Sequence, residues 1–182
     1  MFVVVCKIKF LYLNKEDEMS NALVKVGSTD TRGELTQLVS FNLDREEYGV
    51  EVLKVREIIR MIPITHMPNT PHYVEGIINL RGKVIPIFSM RKKFGLMESD
   101  SNSHTRIMVM DISGELTGFI VDGVSEVIRI SANEVQPAPA MVSGGLDQDC
   151  ITGVINRDNR LLIVLDLDRM VSKDDKMLLT DF

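Results

Sequence analysis

The chain repeats itself once, and that repeat limits its architecture more than any other feature. Tyr48-Gly49-Val50, Val55 and Glu57-Ile58-Ile59-Arg60 recur as Thr117-Gly118-Phe119, Val124 and Glu126-Val127-Ile128-Arg129, an offset of 69 residues at Gly49. Gly76-Ile77-Ile78-Asn79 recurs as Gly153-Val154-Ile155-Asn156, an offset of 77 residues at Gly76. A single duplication of this length is not a solenoid. It predicts two similar small units related by approximate two-fold symmetry. Each is marginal in size alone, so packing one on the other buries shared surface and leaves a groove at the junction.

The local pattern makes those units β-rich. From Leu38, the apolar Val39, Phe41 and Leu43 alternate with Ser40 and Asn42, as in a half-buried strand. A charged turn, Asp44–Glu47, leads into a second strand, Tyr48–Val52. Leu53–Ile59 intersperses Val55, Ile58 and Ile59 with Lys54, Arg56 and Glu57, which predicts a short amphipathic helix or an irregular turn. Pro63, Pro68 and Pro71 punctuate a loop. Gly76–Leu80 and Val84–Phe88 then flank the turn Arg81-Gly82-Lys83, giving a strand–turn–strand unit with an arginine at its tip. Pro86 marks an edge or bulge, and Ser89–Leu96 reads as one helical turn capped by Ser89 and ended by Gly95.

Beyond a polar linker at Glu98–Thr105, strands return at Ile107–Ile112, Leu116–Val121 and Val124–Ile130. Pro137-Ala138-Pro139 and Ser143-Gly144-Gly145 mark a second loop. Ile151–Asn156 and Arg160–Leu165, around Asp158-Asn159, form a closing hairpin before a short helix, Asp166–Ser172.

The expected organisation is one domain over 37–172, built from two β-barrel subdomains at about 37–97 and 105–172, with a frayed tail at 173–182. Residues 1–36 do not conform. Lys7 and Lys9 interrupt the apolar Phe2–Val5 and Phe10–Leu13, unlike the unbroken core of a signal peptide. Lys15-Glu16-Asp17-Glu18 back-translates to a purine-rich tract ahead of Met19, as a bacterial ribosome-binding site would be, so Met19 is the expected start. Asn21–Glu34 is polar and reads as a flexible lead-in.

Composition removes several function classes. With 26 acidic against 21 basic residues, the net charge of -5 argues against non-specific nucleic-acid binding. Two distant cysteines, Cys6 and Cys150, do not make a disulfide framework, and a reducing compartment is the default. His66, His72 and His104 lack metal-ligand spacing, and neither a metal nor a cofactor is expected. No apolar run approaches the roughly 18 residues of a membrane span. There is no GxSxG elbow, no P-loop and no GxGxxG, and Asp166 with Asp168 reads as helix-terminal charge. Surfaces remain: Glu57 among Val55, Ile58 and Ile59, and Arg81 at a hairpin tip, where an arginine can make a planar contact to a partner carboxylate. The bland alternative is that both are solvated surface charges.

The segments EEYGVEVLKVREI, NTPHYVEGIINLRGKVIPI, GFIVDGVSEVIRI and ITGVI…LLIVLDL, with the Pro-Ala-Pro loop, resemble the CheW-type chemotaxis adaptors from about Leu38 to Val171. Ser89-Met90-Arg91 stands where most such proteins have Asp-Leu-Arg. The resemblance implies an all-β fold of two five-stranded SH3-like barrels. It implies a non-enzymatic cytoplasmic adaptor in membrane-proximal receptor arrays, coupling chemoreceptors to a histidine kinase. The expected partners are the kinase's regulatory domain and the receptor's cytoplasmic hairpin tip, with no nucleic acid and no membrane insertion. By the same resemblance, Val55, Glu57 and Ile58 fall in the partner-contact segment. Arg81 falls on an arginine tied to receptor coupling, and Gly118 and Val127 fall on groove-side positions. Arg106 replaces an apolar residue of the family. The alternative is a small β-barrel hydrolase or ligand-binding protein, which needs a pocket holding Cys150 beside His66, His72 or His104.

Overall fold

The computed structural model of the chain describes residues 35–138, 150–157 and 160–171. The expectations for the N-terminal extension and Met19, for Pro139, Ser143–Gly145 and Asp158-Asn159, and for the tail lie outside these residues.

Ten strands follow in chain order: β1 (Leu35–Leu43), β2 (Glu46–Glu51), β3 (Val55–Arg60), β4 (Val74–Leu80), β5 (Lys83–Ser89), β6 (Arg106–Ile112), β7 (Glu115–Val121), β8 (Gly123–Ser131), β9 (Ile151–Arg157) and β10 (Arg160–Leu165). They form two five-stranded sheets, ordered β8-β1-β2-β10-β9 and β3-β6-β7-β5-β4. The repeat equates β1 to β5 with β6 to β10. Applied to the first sheet, that exchange generates the order of the second.

The sheets do not follow the halves of the sequence. Each half gives its first two strands to one sheet and its last three to the other. The division at about 37–97 and 105–172 is therefore a boundary of the repeat and not of the sheets, and no strand set confined to one half makes a complete sheet. The exchange closes in each sheet through a parallel pair, β2 with β10 and β5 with β7.

This exchange explains the burial. A large shared core between the sheets holds Val39, Phe41, Leu43, Phe88, Met90, Met108, Met110, Phe119 and Leu165. Each sheet also wraps a smaller core of its own. Leu38, Ile130, Ile155, Leu162 and Val164 fill one, and Ile78, Ile85, Ile87, Ile107 and Val109 fill the other. Strand β1 is consequently buried on both faces, with Ser40 inaccessible beside Leu38, and the half-buried strand expected there is corrected. Near-continuous apolar runs are the signature of such two-sided burial.

Leu53–Ile59 is corrected for the same reason. A single 3-10 turn, Val52–Lys54, precedes strand β3. Ile58 packs on the shared core and Ile59 on the core of its own sheet, so two apolar neighbours serve opposite faces and hide the period of two.

The repeated glycines mark a repeated close approach. Thr65 N–H donates to Ile77 O and Ile77 N–H to Thr65 O, each at 2.9 Å, where the proline-rich loop crosses β4. Gln136 and Val154 make the equivalent pair of bonds at 2.9 and 2.8 Å. A Cβ on Gly76 would lie 2.1 Å from Thr65 O, and one on Gly153 2.7 Å from Gln136 O. Only glycine admits the crossing loop at either place.

Two charged junctions tie the sheets' turns together. Arg91, in the helical turn Met90–Lys93 capped by Ser89, donates two bonds to Asp122, Nε–Oδ1 at 2.7 Å and Nη2–Oδ2 at 2.6 Å. Asp44 N–H donates to the same carboxylate at 2.7 Å. At the other end, Lys54 Nζ contacts Asp166 and Asp168, and Ser113 N–H donates to Asp168 at 2.9 Å. The polarity is reversed between the ends: one helical turn supplies the cation, the other the acids.

Candidate interaction surface

The hairpin β4–β5 turns in two residues. Leu80 pairs with Lys83, leaving Arg81 (φ 54°) and Gly82 (φ 84°) both left-handed, as in a type I′ turn. Asn79 Oδ1 accepts from Gly82 N–H at 2.9 Å. The tetrapeptide Asn79-Leu80-Arg81-Gly82 is thus a self-capped turn that holds an arginine in a conformation costing a non-glycine residue roughly 1 kcal/mol.

From that tip, Arg81 Nη2 reaches Glu57 Oε1 at 2.8 Å. Glu57 lies on β3 and Arg81 beside β4, the opposite edges of one sheet. The contact requires the sheet to curl until its edges approach, as in an SH3-like barrel. The other sheet shows the same approach: Arg157 on edge strand β9 donates to Arg129 O on edge strand β8 at 3.4 Å. Two residues that the resemblance assigns to different partner contacts therefore form one ion pair. The Arg81 side chain is 78% exposed and that of Glu57 24%. An exposed pair of this kind contributes about 0–1 kcal/mol to stability, so it does not explain the strained arginine by folding energy.

The remaining predicted positions separate into surface and core. Ile58 is half-buried against the shared core, and so is its repeat equivalent Val127, which pairs with Val39 in the neighbouring strand. Val55 is completely inaccessible in the shared core and opposite Met110. Its side chain therefore bears on the surface through the packing of β3. Val55→Ala is expected to lower stability by about 2 kcal/mol through lost burial and a residual cavity. Denaturant unfolding checks this, and binding by the folded variant should be unchanged. Gly118 is buried where β5 runs parallel to β7. A Cβ there would meet Ile87 Cδ1 at 2.4 Å and Ile107 Cγ2 at 3.0 Å. It affects any surface only through the packing of its sheet.

Sequence reasoning gave no site role to Asp122, Arg91 or Asn42. Asn42 and Asp122 line a cavity of about 230 Å³ together with His104, Arg106, Gly123 and Val124, and Arg91 holds Asp122. Two of these could have been flagged, since Asp122-Gly123 breaks the apolar run between β7 and β8 and Asn42 interrupts that of β1.

The cavity that includes His104 does not include Cys150, which is buried in the shared core. Among the described residues no group of three or more His, Cys, Asp or Glu is placed to hold a metal ion. Among them, too, no helix is long and apolar enough to cross a membrane.

Two curled sheets with a shared core, exposed charges on a rigid hairpin tip and a polar cavity at the sheet junction define a β-scaffold whose chemistry lies at its surface. The CheW-like domain family matches residues 37–175, and the chain belongs to that family. It is 36% identical over 142 residues to the chemotaxis protein CheW of Helicobacter pylori, covering 78% of this chain and 84% of that one. It is 34% identical over 143 residues to the chemotaxis protein CheW of Treponema pallidum, covering 76% and 84%. Among solved structures it resembles the scaffolding protein TtCheW from Thermoanaerobacter tengcongensis. The TM-score is 0.71 and the identity 33%, over 78% of this chain and 96% of that one. The expected all-β class of two five-stranded sheets and the expected chemotaxis family both hold.

Proposed function

We propose that this chain is a cytoplasmic, non-catalytic adaptor that binds a chemotaxis histidine kinase through its regulatory domain and the cytoplasmic tip of a chemoreceptor. It holds them at fixed spacing, so that receptor state biases kinase activity. The observation that supports this most directly is the Glu57–Arg81 pair. It sits on an accessible, pre-formed surface, its arginine is held in a strained turn, and its contribution to folding is small. A charge pair of low folding value on a rigid frame is available for exchange with a partner's charges. Ile58, half-buried beside Glu57, supplies apolar area at its edge. Val127 does the same on the other sheet. The two-sheet frame gives two pseudo-equivalent faces, as holding two proteins at once requires.

Titration calorimetry of the full chain against the kinase regulatory domain from the same genome tests the reading. Glu57→Arg is expected to weaken binding at least tenfold while shifting folding stability by no more than about 1 kcal/mol. The charge-swapped variant, Glu57→Arg with Arg81→Glu, restores the ion pair. It is expected to recover stability but not binding. Recovery of binding as well would mean that the pair acts as an internal brace and not as the partner contact. Absence of binding by the unaltered chain would overturn the kinase half of the proposal.

A further inference from the structure

The strand exchange is reciprocal. The hairpin β1–β2 of the first half lies between β8 and β10 of the second, and the hairpin β6–β7 of the second half lies between β3 and β5 of the first. The seams of β1 with β8, β2 with β10, β3 with β6 and β5 with β7 therefore join different halves. Either half alone would leave these strand edges without their hydrogen-bond partners and its side of the shared core open. The chain passes between the halves in the loop 98–104, which is exposed along its length.

Because the halves share one plan, the same edges would also fit a half of the same kind. Charge separates the two choices. Residues 37–97 include nine basic and six acidic side chains, and residues 105–172 five basic and ten acidic, giving net charges of +3 and -5. The ion pairs Arg91–Asp122 and Arg56–Asp111, and those of Lys54 with Asp166 and Asp168, all cross between the halves. In each the cation belongs to the first half and the acid to the second.

The repeat shows what like halves would meet. Ser89 and Asp166 cap equivalent helical turns, so Arg91 stands in the first half where Asp168 stands in the second. Leu53-Lys54 likewise stands where the second half has Asp122-Gly123. Two first halves together would set Lys54 against Arg91, and two second halves would set Asp122 against Asp168. These side chains are partly buried, where solvent and salt screen a like-charge contact less.

We propose that the surface between the halves is a recognition interface selective for the unlike half, supplied by the same chain or by a second copy of it, and that the reversed charges at the two junctions exclude like pairs. The connecting loop raises the effective concentration of one half for the other and is not what holds the fold together.

The test uses the full chain with a protease site inserted between Ser99 and Asp100, cut after folding. The cut chain is expected to keep the size of the uncut one, and its thermal midpoint should rise with concentration, as for a two-part assembly. Cut chains of ordinary and heavy-isotope composition are then mixed and warmed. Native mass spectrometry should show exchanged pairs of unlike halves and no pairs of like halves. Lys54→Glu removes the clash with Arg91 and sets acid against Asp166 and Asp168. In that cut variant unlike halves should exchange about tenfold faster or more, and pairs of two first halves should appear. Like pairs in the unaltered cut chain, or none in Lys54→Glu, would overturn the role of charge. A cut chain that precipitates, or whose halves melt independently or never exchange, overturns the interface itself. Should the inserted site lower the midpoint of the uncut chain, a site between Asp100 and Ser101 takes its place.

Discussion

Gly76→Ala is expected to unfold this protein at a much lower temperature than any surface substitution would. The added methyl would sit 2.1 Å from the Thr65 carbonyl oxygen, which is backbone and cannot rotate away. The residue also has φ +137°, a conformation that only glycine adopts without strain. Relief requires the proline-rich loop to leave β4, breaking the two bonds between Thr65 and Ile77. Steric displacement, backbone strain and two lost bonds together are expected to cost about 3 kcal/mol or more. For a domain of this size that lowers the midpoint by roughly 10 °C. Gly82→Ala isolates the conformational component, since Gly82 has φ +84° and a methyl added there would meet nothing within 4 Å. It should cost only about 1 kcal/mol. Equal losses in the two variants, measured by calorimetry, would show that the loop crossing adds nothing to the backbone conformation.

The Arg91–Asp122 junction should govern the acid limit of stability. Burial by itself would raise the Asp122 carboxyl, but the Arg91 guanidinium and Asp44 N–H outweigh it and hold the group below the usual carboxylate range. Asp168 behaves alike: burial opposes, and Lys54 with Ser113 prevails. A carboxylate with a lowered folded pKa contributes stability that is complete above its unfolded value, about 3.9, and is lost as pH falls through the folded value. Stability should therefore be nearly level from about pH 7 to 5 and decline below about pH 4. Lys54 gives the opposite limb. Burial opposes its charge, yet Asp168 and Asp166 raise its pKa, so its contribution is complete below its ordinary value and is lost only as pH rises through the folded one.

Arg91→Ala is expected to cost about 2–3 kcal/mol at pH 7, because it leaves Asp122 partly buried and short of two charge-assisted bonds. Asp122→Asn should cost less and flatten the acid decline. Urea unfolding of both variants from acid to neutral pH checks this. An unchanged acid slope in Asp122→Asn would assign the decline to other carboxylates.

The interaction surface was only partly legible in the sequence. Glu57 and Arg81 could be singled out, one as a charge in an apolar segment and the other as an arginine at a turn. Their union could not, since the residues are 24 positions apart and meet only when the sheet curls its edges together. Val55 looks like its neighbour Ile58 in sequence, yet one is fully inaccessible and the other only half-buried. Gly118 falls on a groove-side position by resemblance, and the sequence alone gives no sign that it lies where parallel strands β5 and β7 meet. Arg106 could be noted as a departure, but its cavity exists only where β1, β6 and the β7–β8 junction converge.

By itself the sequence determined that the chain is β-rich, that its two halves share one plan, and where several of its tight turns fall. These are local or periodic properties, carried by neighbouring residues and visible in one dimension. The tertiary structure alone decided that the halves exchange strands, so that each sheet is completed by the other half. Two-sided burial followed, and it erased the alternation by which a half-buried strand would be recognised. The pairing of Glu57 with Arg81 and the charge-reversed junctions both depend on that exchange. Each brings together side chains whose separation in sequence carries no signal of their separation in space.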